Sequence, residues 1–172
     1  MFIESIYLNN FKSFVERDFI FNRNVNFIFG ENGSGKTNLL DSLHYLSLCK
    51  SYFNTHDTQT IHYNEDYFSI NGTFKSDESL DVISCSYTKE KKKIIKRNDK
   101  QYERFSDHIG AFPLIMITPS DISLINGSGE ERRRFVDTCI SQYDTDYLHS
   151  IIAYNKILSE RNKLLKPDGN FN

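Results

Sequence analysis

Eight consecutive residues, Gly30-Glu31-Asn32-Gly33-Ser34-Gly35-Lys36-Thr37, have the types and spacing to do chemistry on phosphate. They match G-x-x-x-x-G-K-[ST], a loop pattern that binds polyphosphate when a strand precedes it and a helix follows. A triphosphate concentrates several negative charges. A glycine-rich turn can present successive backbone N–H groups to them, and the helix that begins at its end adds a favourable dipole. Lys36 supplies a point charge for the outer phosphates, and the Thr37 hydroxyl supplies an oxygen for a phosphate-bound Mg²⁺. Asn38, the next residue, completes the candidate nucleotide-binding set. The competing account is a glycine-rich strand-to-helix turn with no ligand.

Binding phosphate is not hydrolysing it. Hydrolysis needs a second acidic site for the metal and the attacking water, usually at the tip of an apolar strand. Leu114-Ile115-Met116-Ile117 is the nearest such strand, but Thr118-Pro119-Ser120 intervene before Asp121, which reads as a helix-capping acid. No complete hydrolytic site is expected in this chain.

The elements that must position the loop are legible in the flanks. Val25 to Phe29 is a β-prone run leading straight into Gly30, and from Asn38 to Cys49 five leucines recur at helical spacing. Residues 2 to 8 alternate as a strand ending at Asn9-Asn10, and Asp18 to Phe21 reads as the next. Tyr67 to Phe74, Leu80 to Tyr87 and Ile94 to Ile95 predict an antiparallel meander over about 67–97. Pro113 to Ile117 suits a buried strand. Thr118-Pro119-Ser120-Asp121 then starts a short helix to about Ile125, and Ser128 with Glu131 makes a capping-box pattern before a second helix carrying Val136, Ile140 and Tyr143. Ile151, Leu158 and Leu165 recur every seven residues, compatible with a coiled-coil arm or with an ordinary amphipathic helix. The expected division is a phosphate-binding lobe over 1–117, meander included, and a helical segment over 118–172. Pro167 to Asn172 is loop-like, and the chain reads as cut rather than finished.

Composition narrows the classes. The 172 residues are 38% hydrophobic and 26% charged, with a formal net charge of −2 and no run approaching a membrane span. Glu4 and the lack of a basic leader argue against secretion, so a cytoplasmic address is expected. Cys49, Cys85 and Cys139 have neither disulfide nor zinc spacing and read as buried thiols, and the scattered histidines receive no role. Nucleic acid would have to be met by local patches. Lys89, Lys91, Lys92, Lys93, Lys96 and Arg97 crowd one stretch, of which Lys91, Lys92, Lys93, Lys96 and Arg97 are the candidate phosphate contacts, against a solvated hairpin tip as the alternative. Arg132-Arg133-Arg134 sit where a helix dipole disfavours cations, which points to pairing with Glu130 or Glu131, with a phosphate contact by Arg133 or Arg134 as the alternative.

Five segments in order resemble the RecF family. They are Ile6-Tyr-Leu-Asn-Asn-Phe-Lys-Ser-Phe14, the loop and helix from Gly30 to Leu46, Cys49-Lys-Ser-Tyr-Phe53, Thr118-Pro-Ser-Asp121 and Gly127-Ser-Gly-Glu-Glu-Arg-Arg-Arg-Phe-Val-Asp137. Leu124 to Glu131 also faintly resembles a cassette signature, but its place before any long arm fits the base of the family's arm better. The resemblance implies an α/β P-loop NTPase fold, the lobe of an ATP-binding-cassette-type head related to SMC proteins, with an antiparallel β meander and a C-terminal helical arm segment. It implies ATP and Mg²⁺ as cofactors and ATP-dependent homodimerisation. DNA at gaps and single-strand-to-double-strand junctions is the implied substrate, and RecO and RecR are the implied partners in loading recombinase and answering DNA damage. Any ATPase activity would belong to the full-length dimer, because the signature motif and the acidic Walker B strand are not in this sequence. By the same resemblance Asn10 and Lys12 lie near the nucleotide; a solvated β-turn is the alternative for both. A P-loop kinase acting on a small molecule and a non-hydrolysing ATP-binding remnant are the competing functions.

Overall fold

A computed structural model of the chain describes residues 1–90 and 92–165. Lys91 and the expected loop 167–172 lie outside them. The chain divides into two compact units, Met1–Leu114 and Ile115–Asn172.

In the first unit, six strands form one antiparallel sheet among the described residues, in the order β2-β1-β3-β4-β5-β6. They are β1 (Phe2–Phe11), β2 (Phe14–Ile20), β3 (Tyr67–Lys75), β4 (Leu80–Thr88), β5 (Lys93–Arg97) and β6 (Lys100–Gln101). The expected meander is β3-β4-β5, in a register that pairs Ile70 with Cys85 and Cys85 with Ile95. Period-two alternation explains which face it buries: Phe68, Ile70, Ile83, Cys85 and Ile95 are all at most 1% exposed. Helix α1 (Lys36–Leu48) covers that face with Leu39, Tyr45 and Leu46. Phe11, Tyr45 and Phe68 meet edge to face, with ring centroids 5.2–6.2 Å apart, the arrangement their quadrupoles favour. Cys49 and Cys85 lie in this core as free thiols, and burial pushes the Cys49 thiol up to about 12.

Four strand expectations need correction, one being Asp18–Phe21, whose strand begins earlier and is β2 (Phe14–Ile20). The first strand does not stop at Asn9-Asn10: β1 runs to Phe11, because Asn10 takes the left-handed conformation (φ 51°) without breaking the ladder. Val25–Phe29 is not a strand, and Phe27 and Phe29 are 87% and 90% exposed. Pro113–Ile117 is not a buried strand either, with Ile115 and Ile117 66% and 75% exposed. Both runs have the composition of a strand and lack a neighbouring strand among the described residues; propensity alone does not supply a ladder.

The second unit is helical. A 3₁₀ turn over Pro119–Ile122 leads into α2 (Ser123–Asn126), followed by α3 (Gly129–Ser141) and α4 (Thr145–Leu164). Asp121 acts as the expected capping acid, its carboxylate accepting hydrogen bonds from the Thr118 N–H and hydroxyl. Ser128 is the N-cap of α3 but makes no side-chain bond there, so the capping box does not form. Tyr143 falls beyond α3 and is 96% exposed, off the face that carries Val136 and Ile140. Asp144 caps α4 by accepting from the Tyr147 N–H at 2.9 Å, and Tyr147 returns its hydroxyl to Asp137 at 2.6 Å, tying α4 to α3. Ile151 and Leu158 are half-buried, whereas Leu165 is 63% exposed just past the helix. No helix among the described residues is long and apolar enough to cross a membrane.

Candidate phosphate-binding site

The loop from Gly30 to Gly35 wraps rather than runs straight. Gly33 and Gly35 sit at φ 85° and 95°, in the region that side-chain-bearing residues rarely enter. Their needs differ. A Cβ on Gly33 would meet nothing within 4 Å, so its glycine answers only to the backbone angle. A Cβ on Gly35 would stand 2.7 Å from Phe14 Cζ and 3.0 Å from Ser13 Oγ, so here both angle and room demand glycine.

Gly35 is also the N-cap of α1, with no side chain to satisfy the first N–H groups, and the first turn carries no acidic residue. The first N–H groups of a helix have no intrahelical partners, and together with the positive end of the helix dipole they make an electrostatic setting for an anion. Ser34 N–H closes the turn onto Glu31 O at 3.2 Å. Lys36 folds back over the turn, donating to Gly30 O at 2.8 Å and Glu31 O at 2.7 Å. Its ammonium is held by neutral carbonyls, and no carboxylate among the described residues pairs with it. Thr37 is exposed on the first turn. Its hydroxyl is a hard oxygen ligand, and no group of three metal-ligating side chains occurs among the described residues. That donor set fits a Mg²⁺ that arrives with phosphate and water as its main ligands, not one caged by protein.

Asn38, expected at the site, donates its amide to Ser13 Oγ at 2.7 Å. Asn10 and Lys12 do not form a solvated turn. Asn10 is 6% exposed and donates to Glu65 at 3.1 Å, while Lys12 reaches Asp41 at 2.6 Å in a pair whose side chains are 11% and 0% exposed. Ser13, Phe14 and Asp41 were not singled out from the sequence. Asp41 carried a signal: one turn before Tyr45, it puts a charge on the buried stripe of a leucine-rich helix. A hollow of about 430 Å³ is lined by Phe19, Phe21, Asn22, Asn26, Phe27 and Phe29 and contains none of Gly30 to Thr37; no charged side chain lines it.

The basic stretch is not one patch. Lys92 is exposed and Lys96 half-buried. Lys93 turns inward, 2.6 Å from Asp57, donating to Cys49 O at 2.8 Å and lying over the Tyr45 ring. Arg97 grips Asp81 with two 2.8 Å bonds, which draws the Asp81 carboxyl below its usual range, and Lys89 pairs with Asp66. Of the three arginines in the second unit, Arg134 pairs with Glu130 at 3.5 Å, whereas Arg132 donates to Gly127 O at 3.0 Å.

The match to known proteins covers this site and almost everything around it. Residues 5–166 match the AAA domain family. The chain belongs to that family. Among curated relatives it is 45% identical over 166 residues to the DNA replication and repair protein RecF of Parabacteroides distasonis, and 46% identical over 169 residues to that of Bacteroides thetaiotaomicron. These alignments take in 96% and 98% of this chain but 46% of each relative, so the chain spans about half the length of the curated relatives it matches. A solved structure of the recombination mediator protein RecF-ATP in the RecFOR pathway superposes with a TM-score of 0.87 at 30% identity, covering 99% of this chain and 47% of that one. An SMC ATPase structure, at 21% identity and a TM-score of 0.64, shares the fold over 80% of this chain. The α/β P-loop head fold expected from the sequence is therefore the fold of this AAA domain, and the RecF resemblance runs through nearly its whole length.

Proposed function

We propose that this chain is the nucleotide-binding part of a RecF-type protein of recombinational DNA repair and replication, acting in the cytoplasm. Gly30 to Thr37 would enfold the phosphates of ATP, with Lys36 leaving its carbonyl partners for the outer phosphates. Thr37 would contribute its hydroxyl to the accompanying Mg²⁺, and Asn38 would hold the first turn. The observation that carries this reading is an ammonium poised over a glycine-built loop at a helix N-terminus, with no carboxylate among the described residues to neutralise it.

ATP would then control homodimerisation of the full-length protein on gapped or junction DNA, with RecO- and RecR-type partners aiding recombinase loading. DNA would be met through its backbone, which needs exposed cations and no base-reading side chains. Lys92 and Lys96 are better placed for this than Lys93 and Arg97, whose charges are engaged. Hydrolysis would depend on acidic groups other than Asp121, which is occupied as a cap.

Lys36→Ala in the full-length protein tests the reading. ATP affinity, by titration with a fluorescent analogue, is expected to fall by about tenfold or more, as loss of a charge-assisted bond to phosphate implies, and ATP-dependent dimerisation and DNA retention should fall with it. Undiminished ATP affinity would overturn the reading.

A further inference from the structure

Asp41 stands five residues beyond Lys36 on α1, outside the phosphate loop, yet it is a hub. Its wholly buried carboxylate lies 2.6 Å from Lys12 Nζ, accepts the Ser51 hydroxyl at 2.7 Å and accepts the Tyr52 N–H at 2.6 Å. Ser51 Oγ accepts in turn from the Asn54 N–H at 3.0 Å, which fixes the segment after α1. An ion pair removed from water gives back much of its attraction as lost hydration, so apolar residues of the same volume could hold a core as well. A buried pair does what they cannot: it fixes one register.

The register fixed here belongs to the β1–β2 turn. Lys12 is left-handed at φ 51°, with its N–H donating to Thr60 O at 2.8 Å and its carbonyl accepting from the His62 ring at 2.7 Å. The next two residues are the ones that touch the phosphate loop. Ser13 Oγ receives the Asn38 amide, and Phe14 occupies the space against which Gly35 is packed. Asn38 and Asp41 are successive partners on the same helix, so the turn is gripped at two points by the element that ends the loop.

We propose that Asp41 is a positioning residue for the phosphate loop, acting through Lys12 to hold Ser13 and Phe14 against Asn38 and Gly35. This rests on the nucleotide reading above. Lys12 serves in this arrangement by where it holds the turn, not by touching the ligand.

The test measures MgATP affinity and thermal midpoint of the full-length protein in four variants. Asp41→Asn leaves a buried ammonium without its carboxylate and is expected to weaken MgATP binding about tenfold, with a lowered midpoint, since small displacements of a binding constellation have large effects. Lys12→Gln combined with Asp41→Asn keeps an amide-to-amide hydrogen bond without charge and is expected to recover most of the affinity. Ser13→Ala should weaken MgATP binding severalfold without moving the midpoint, which a merely structural tie would not do. Lys36→Ala is the reference. If it leaves affinity unchanged, the nucleotide reading itself fails; if it abolishes binding while Asp41→Asn or Ser13→Ala binds as wild type, only the role of Asp41 fails. A double variant that melts normally yet stays as weak as Asp41→Asn would mean Lys12 contacts the nucleotide directly, and would overturn the positioning role. Should Asp41→Asn not fold, Ser13→Ala decides alone.

Discussion

β3 and the run Val25–Phe29 are built from similar residues and end in opposite surroundings. In β3, Phe68 and Ile70 are fully buried; in the pre-loop run, Phe27 and Phe29 are almost wholly exposed. β3 is paired on both sides, to β1 and to β4, so its backbone groups are satisfied and one face is pressed onto α1. The pre-loop run has no ladder among the described residues, and its aromatic rings line an open hollow instead. β-Propensity describes fitness for a pleated, half-buried surface; the neighbouring strand decides whether that surface exists.

The sharpest way to break this comparison is to truncate one ring from each stretch. Phe68→Ala should cost about 3–5 kcal/mol in urea denaturation, the usual penalty for emptying an aromatic core site. Phe27→Ala should stay within about 0.5 kcal/mol, as for other surface changes. An equally large loss at Phe27 would show that the run is covered in solution.

A smaller contrast lies inside the loop. Gly35→Ala meets Phe14 as well as an unfavourable angle, so it should lower stability by about 1–3 kcal/mol and disable the loop. Gly33→Ala meets open space and should show only the left-handed cost, about 1 kcal/mol. Equal effects in paired melts would mean that the turn approaches its hairpin more loosely than these distances imply.

The smallest effect concerns pH. His108 is fully buried against Tyr102 and Phe112, donates from Nε2 to Leu46 O at 2.6 Å, and has no hydrogen-bond partner at Nδ1. Burial lowers its pKa below the ordinary 6.5, and it does the same to His44. Between the folded and unfolded values the unfolded chain therefore binds the extra proton. The stability from keeping each ring neutral is full above about pH 6.5 and falls as pH drops toward the folded value, by up to about 1.4 kcal/mol per unit. His108→Phe should flatten this acid limb in pH-dependent melts, leaving the contribution of His44. An unchanged limb would assign it to other groups.

How much of this was legible beforehand depended on whether the signal was local. The loop, α1 and the β3-β4-β5 meander were readable because glycine spacing, leucine periodicity and strand alternation all lie within a short window. Asp121 as a cap was readable for the same reason. The fates of Val25–Phe29 and Pro113–Ile117 were not, since pairing is a property of two segments. Which of the cations around Lys93 stay free was not legible, because charge density in sequence does not say which way an ammonium points. Tyr45, Asp57 and the Cys49 carbonyl, distant along the chain, draw Lys93 inward. Lys12 and Asp41 met across 29 positions, beyond what any local pattern reports.

The thiols turn the depth of the core into something that can be timed. Cys139 in α3 is only half-buried, Cys49 is 6% exposed and Cys85 is 1% exposed, between β3 and β5 at the centre of the meander. Alkylating reagents attack thiolates, which are scarce for both inner cysteines because burial raises both above the ordinary value. Successive modification should therefore record first the looseness of the helical unit, then release of the end of α1 at Cys49, and last the opening of the sheet's centre at Cys85, an intrinsic clock for how this head breathes.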